Sequence, residues 1–284
     1  MRTILAHLEI SPSLDSVLEC ARLVAERFAA YIEGYHMRPG QPDLIAAGAD
    51  GFVAAAPDLV AGFEREARER AEQARRRFEA FRRRHGLPLP QEASPDRPSA
   101  DWRVETASGQ GAIGSYGRVF DLIVVGRPLA DQVTPSMAAL EAALFESGRP
   151  LLVAPPVPPK RLGERVVVAW NGSTETARTV AFAMPFLAAA ASVAVLQVED
   201  GMVPGPEAED LATSLRRHGI AVEVRHVRRG GRGTGEAMLA ETAALGGDLM
   251  VKGAYTQSRF RQMIFGGATS HILAHAELPV IMAN

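Results

Sequence analysis

The residues with the clearest chemical promise lie near the end of the chain, in GAYTQSRFRQMIFGGAT, residues 253–269. Gly253 permits close backbone approach as the chain leaves an apolar run. Gly266 and Gly267, followed by Ala268 and Thr269, can expose backbone N–H groups at the start of a helix running to His275. Such a nest of N–H groups suits phosphate oxygens. The plain alternative is that these glycines turn the chain and let the helix pack closely. Thr269 has two roles open to it, a hydroxyl toward phosphate or a cap for the helix. Lys252 borders the segment and is one of only two lysines, with Lys160. It could add a charge to phosphate, although a strand residue faces one side of a sheet only.

Other groupings carry less chemistry. Gly109, Gly111 and Gly114 spell GxGxxG between an expected strand and an expected helix. A dinucleotide fingerprint belongs instead at the first strand, and the next strand ends in Gly126-Arg127-Pro128 without the acid that a ribose needs. Gly230, Gly231, Gly233 and Gly235 recur at the equivalent turn of the second half, which favours a shared architectural loop. His271 and His275 stand four apart on one helix, but no HExxH pattern and no third ligand accompany them. Packing or capping is the simpler role. Glu9 reads as a loop carboxylate at the end of the first strand. Neither a GxSxG elbow nor a GxxxxGK[ST] loop occurs, which argues against the usual α/β-hydrolase and a P-loop NTPase.

These residues need elements to hold them. The 284 residues are 47% hydrophobic and 23% charged, enough apolar material for two domains and too much for a disordered chain. With 31 basic and 33 acidic residues there is no global positive field for nucleic acid or an anionic membrane. Cys20, the single cysteine, sits in an apolar stripe and cannot form an internal disulfide. The first residues form no signal-peptide core, and no apolar stretch long enough to span a bilayer occurs, so a cytoplasmic protein is expected.

Short β-branched runs alternate with amphipathic stretches, the pattern of βαβ units around a parallel sheet. Strands are expected near 3–8, 31–36, 102–106, 122–125 and 151–154, and again near 166–170, 193–198, 222–227, 249–252 and 280–282. The halves match in residues as well as in order: LIVVGRP at 122–128 answers LMVKGAY at 249–255, and RPLLVAP answers LPVIMAN. Duplication explains this. PPVPPKRLGE, residues 155–164, is stiff and poor in donors and reads as a linker, dividing the chain into domains 1–157 and 163–284. A long helix over 58–86 sets the first half apart. Its arginines interleave with Glu64, Glu66, Glu69, Glu72 and Glu79, as on a solvated face.

The glycine segment resembles the nucleotide-binding signature of the universal stress protein superfamily: Gly, two residues, Gly, nine residues, then Gly followed by Ser or Thr. It matches at Gly253 and Gly266 and departs at two positions. Thr256 stands where the second glycine belongs, and Gly267 where the small hydroxyl residue belongs. A β-carbon at Thr256 narrows the approach to phosphate and disfavours positive φ. HILAHAELPVIMAN, VVVAWNGSTETA and FESGRPLLVAPP resemble the same family in its tandem two-domain form.

The resemblance implies two Rossmann-like domains of adenine nucleotide α-hydrolase type, each with a five-stranded parallel sheet. It implies ATP or a related adenine nucleotide in the C-terminal domain, with Mg2+ only as the nucleotide's companion. Asn171 then stands where the family has an acid ending the first strand, Val198 would meet adenine through its backbone, and Gly253, Gly266 and Gly267 would hold the phosphates. The first half keeps Gly126 but lacks a second glycine cluster, so it is expected to be degenerate for nucleotide and to act as the partner in an intrachain pseudo-dimer; a homodimer is a further option. A stress-associated regulatory or binding module follows, with slow ATP hydrolysis at most, since no general base or arginine finger flanks the glycines. The alternative is an interaction protein without nucleotide, engaging a protein partner through the duplicated scaffold or the long helix.

Overall fold

The computed structural model describes residues 1–40, 57–107, 111–130, 132–255 and 267–284. Two compact units result: residues 1–126 with 132–149, and residues 127–131 with 150–284.

In the first unit the order is β1 (Thr3–His7), α1 (Leu14–Phe28), β2 (Tyr31–Pro39), α2 (Pro57–Arg84), β3 (Ser99–Ala107), α3 (Gly111–Gly117), β4 (Leu122–Gly126) and α4 (Met137–Glu146). The four strands are parallel in the order β3-β2-β1-β4. The second unit holds β5 (Leu151–Ala154), β6 (Arg165–Trp170), α5 (Thr174–Ala189), β7 (Ser192–Val198), α6 (Ala208–Arg217), β8 (Val222–Val227), α7 (Thr234–Ala244), β9 (Leu249–Gly253), α8 (Ala268–His275) and β10 (Val280–Ala283). Its strands run β5-β10-β9-β6-β7-β8, parallel except that β5 lies antiparallel to β10.

All ten expected strands are present. β3 starts earlier than expected, at Ser99, because its pairing with β2 extends back to Tyr31. The expectation of a five-stranded parallel sheet in each half needs one amendment: β5 ends the first sequence repeat but adds to the second unit's sheet. Its residues are all buried, and β10 offers an equally apolar four-residue edge; pairing the two removes exposed edges from both. The run 155–164 carries neither helix nor strand and joins β5 to β6.

Strands β4, β5, β9 and β10 are buried along their whole length, as in sheets covered on both faces, while β8, with the pattern of an edge, keeps half its positions exposed. On α2, Ala74 and Phe78 are buried, Phe78 lying 5.7 Å from Trp102 and against Gly34, where a β-carbon would sit 2.6 Å from the ring. The opposite face pairs Arg68 with Glu64, Arg70 with Glu66, Arg76 with Glu72 and Arg82 with Glu79. These four arginines are thus paired within the helix, while Arg77 pairs with Asp15 of α1.

One local device appears in both units. Asp121, just before β4, accepts hydrogen bonds from the backbone N–H of Arg2 and Thr3 at 2.5 and 3.1 Å, while its own N–H donates to the Thr3 carbonyl. Asp248, just before β9, accepts from Gly163, Glu164 and Arg165 at 2.9, 3.3 and 3.0 Å, and its N–H donates to the Arg165 carbonyl. Each aspartate pins the start of the first strand of its repeat to the start of the fourth. Replacing Asp248 with Ala leaves three backbone donors to water and is expected to cost about 1–3 kcal/mol. A denaturant melt followed by Trp170 emission checks this, and an unchanged midpoint would refute the role.

Candidate functional site

The crevice expected in an open parallel sheet lies at the carboxyl ends of the strands where successive connections leave in opposite directions. In the second unit that point falls between β6 and β9, since β6 has β7 on one side and β9 on the other. Two of the candidate residues lie there.

Gly253 closes β9. A β-carbon on it would stand 2.5 Å from the Thr176 nitrogen and 2.6 Å from the Thr176 Oγ1. Glycine is therefore required here because the first turn of α5 presses on the strand. That turn is built by its sequence: Ser173 caps α5 by accepting from Thr176 N–H at 3.2 Å, and Asn171 Oδ1 accepts from Ser173 N–H at 3.2 Å and Thr176 Oγ1 at 2.6 Å. Asn171 is thus tied through Thr176 to Gly253. Its carbonyl accepts from Val203 N–H at 2.9 Å, and Trp170 Nε1 donates to the Pro206 carbonyl at 2.8 Å. The segment 202–206 consequently folds over the end of β6, a feature that the sequence did not disclose. Gly172 takes φ +77° beneath it.

On the other side, Lys252 Nζ donates to Thr269 Oγ1 at 2.9 Å and to the Gly253 carbonyl at 2.7 Å. Lys252 and Thr269 are both buried, at 7% and 2% exposure. Burial lowers the Lys252 ammonium to about 8. Gly267 is the N-cap of α8 with φ −75°, ψ 163°, a conformation open to any residue, and it supplies no side-chain cap. Thr269, two residues into the helix, meets lysine. Gly266, Thr256 and the nine residues between Thr256 and Gly266 lie outside the described residues, as does Gly109.

Val198 is buried, and its carbonyl accepts from Gly201 N–H at 3.0 Å. A path through glycines links it to the same edge: a β-carbon on Gly201 would meet Thr234 Cγ2 at 2.9 Å, and one on Gly235 would meet the Ala268 carbonyl at 2.8 Å. The starts of α7 and α8 therefore touch. Gly114 plays the corresponding part in the first unit, where a β-carbon would lie 2.5 Å from the Ala142 carbonyl of α4. The recurring glycines at these turns serve helix packing.

His271 and His275 stack with ring centroids 4.3 Å apart, and His275 Nδ1 lies 2.9 Å from the His271 carbonyl. Burial lowers the His271 pKa, with His275 lowering it further and Glu236 opposing. Among the described residues no group of three or more His, Cys, Asp or Glu could hold a metal, and no helix is long and apolar enough to cross a membrane.

The first unit treats the equivalent helix start differently. Ser136 caps α4, its N–H donates to Glu9 Oε2 at 3.0 Å, and Gly126 abuts Pro135. A carboxylate of the chain itself thus stands at the start of α4, where an anion is favoured. His7, buried, lies 3.6 Å from the same carboxylate.

Residues 163–284, most of the second unit, match the model of the universal stress protein family. A search of curated protein sequences found no match. Among solved structures, a universal stress protein from Archaeoglobus fulgidus is similar over 99% of this chain and 96% of its own, with 14% identity and a TM-score of 0.67. The functionally unknown protein PA1789 from Pseudomonas aeruginosa aligns over 100% of this chain and 92% of its own, at 14% identity and a TM-score of 0.55. At such identities the likeness is one of fold, and it extends over both halves.

Two predictions follow from these environments. Asn171→Asp keeps both accepted hydrogen bonds and makes them charge-assisted beside the start of α5, so it is expected to stabilise the second unit by about 0.3–1 kcal/mol; a lower melting temperature would show that Asn171 donates a bond the structure needs. Burial lowers the pKa of His7 and of His36 from 6.5, opposed by Glu9 at His7 and by the Leu8 carbonyl at His36. The unfolded chain then binds more protons, so stability should fall as pH drops below 6.5. Urea melts followed by Trp102 emission in a Trp170→Phe background, at pH values above and below that point, measure it.

Proposed function

We propose that the second unit binds ATP or a related adenine nucleotide, with the phosphates at the start of α8, and that the protein acts as a stress-associated regulatory or binding module of the cytoplasm. The observation that supports this best is the meeting of polar groups at the carboxyl ends of β6 and β9. Asn171 and Gly253 are joined there through Thr176, and Lys252 is turned onto Thr269 at the head of α8. A polar, N–H-rich helix start with a cation beside it is matched to phosphate oxygens. Mg2+ would enter only with the nucleotide. The family match over residues 163–284 supports the stress-related role. The first unit, with Glu9 already at the head of α4, is read as the structural partner.

A second reading has its own observation. The Asn171 and Val198 carbonyls both accept backbone hydrogen bonds within the chain, and segment 202–206 covers the end of β6. This is how a scaffold that has given up nucleotide and serves a protein partner would look.

The deciding experiment denatures freshly purified protein, identifies any released nucleotide by chromatography and mass, and titrates ATP into wild type and Gly267→Asp by calorimetry. The extended backbone at Gly267 accepts an aspartate N-cap, so this variant should fold while repelling phosphate. Binding by wild type that weakens about tenfold or more in the variant is expected. No released nucleotide and no heat at millimolar ATP would leave the second reading standing.

A further inference from the structure

Helix α8 carries a cation at each end, and only one of them is where a helix favours it. At the carboxyl end Arg127 Nη1 donates to the carbonyls of Leu273 and Ala274, the negative pole. At the amino end, the positive pole, sits the buried Lys252 ammonium, 2.9 Å from Thr269 Oγ1. The start of α7 adds a second positive pole, brought against Ala268 by Gly235. Both hydrogen bonds that Lys252 makes go to neutral oxygens, and among the described residues it has no carboxylate partner.

Among the described residues no acidic group compensates the charge of Lys252. Lys252 is in register with Ala169 on β6 and Met282 on β10. The titratable groups of α8 are His271 and His275, those of α7 are Glu236 and Glu241, and those of α5, packed on Gly253, are Glu175 and Arg178. None of them contributes to the titration of Lys252, which burial alone displaces. A buried cation at the start of α8 lies where the helix disfavours it, and an anion bound beside it would offset its charge.

We propose that Lys252 is the charge-bearing group of this crevice, and that a phosphate-bearing ligand at the start of α8 is held or released according to the protonation of its ammonium. The inference rests on the nucleotide reading for the place of the phosphates, but not for the adenine. Since burial lowers the ammonium to about 8, an anion that prefers the charged form must draw in a proton when it binds at or above that pH. Affinity for phosphate should therefore decline as pH rises past 8, while affinity for an uncharged nucleoside should not.

The test titrates tripolyphosphate, ATP and adenosine separately into the full chain by calorimetry, below and above pH 8, in buffers of differing ionisation enthalpy. Wild type should bind tripolyphosphate more weakly above pH 8, with a buffer-dependent heat that reports proton uptake. Lys252→Met should lose about 10- to 100-fold in tripolyphosphate affinity together with that heat. Lys252→Arg, which stays charged, should bind independently of pH in this range. Thermal melts of both variants establish that they fold, and the wild-type pH profile and proton uptake test the proposal without any variant.

Tripolyphosphate binding that is indifferent to pH, or unchanged in folded Lys252→Met, overturns the proposal. Adenosine binding without tripolyphosphate binding overturns it while leaving the adenine reading intact. Proton-linked tripolyphosphate binding with no added affinity for ATP and none for adenosine supports Lys252 and overturns the adenine reading. Binding of none of the three overturns both.

Discussion

The candidate site depends on one steric fact, the closeness of the first turn of α5 to the end of β9. With Thr176 nitrogen 2.5 Å from where a β-carbon would be, position 253 admits glycine alone. That contact draws Thr176 into reach of Asn171 on one face of the sheet. Alternation along a strand turns the preceding residue, Lys252, to the other face, where it meets Thr269. A single close approach of backbone to backbone thereby places a polar group on each side of the crevice. Moving α5 outward by the width of a methyl group would separate Asn171 from Gly253.

The duplicated scaffold is put to two electrostatic uses. Asp121 and Asp248 perform the same task in the two units, each fixing the relative start of two central strands through backbone N–H groups. The helix that follows the fourth strand of each repeat begins in opposite company. In the first unit a carboxylate, Glu9, meets the helix start and satisfies it internally. In the second a lysine is buried there. The first helix start is met by an acidic group of the chain itself, and the second by a basic one. This difference in charge separates the two copies, together with the long helix α2 of the first.

How legible this was depended on the kind of feature. The ten strands, the long charged helix and the pairing of its arginines followed from periodicity, because apolar runs and i,i+4 charge spacing are local properties. Glycines were harder. Gly114 and Gly235 were read as part of a shared architectural loop and Gly253 as part of a ligand loop, since sequence shows only that the side chain is absent and not what takes its place. The structure gives each a packing neighbour: Ala142, Ala268 and Thr176. Segment 202–206 carried no signal at all, and its closure over Trp170 and Asn171 is a matter of where two loops meet.

By itself, the sequence determined the α/β class, the duplication and the position of the glycine segment, because hydrophobic period and repeated words survive without knowledge of contacts. It also pointed to Lys252 beside that segment. Only the tertiary structure decided that β5 pairs with β10, that Glu9 stands at the head of α4, and that Lys252 is buried against Thr269 with no carboxylate among its described neighbours. Each of these joins residues distant along the chain. Burial and counter-charge are properties of what surrounds a side chain, and a side chain's surroundings exist only once the strands have been ordered and the helices packed on them.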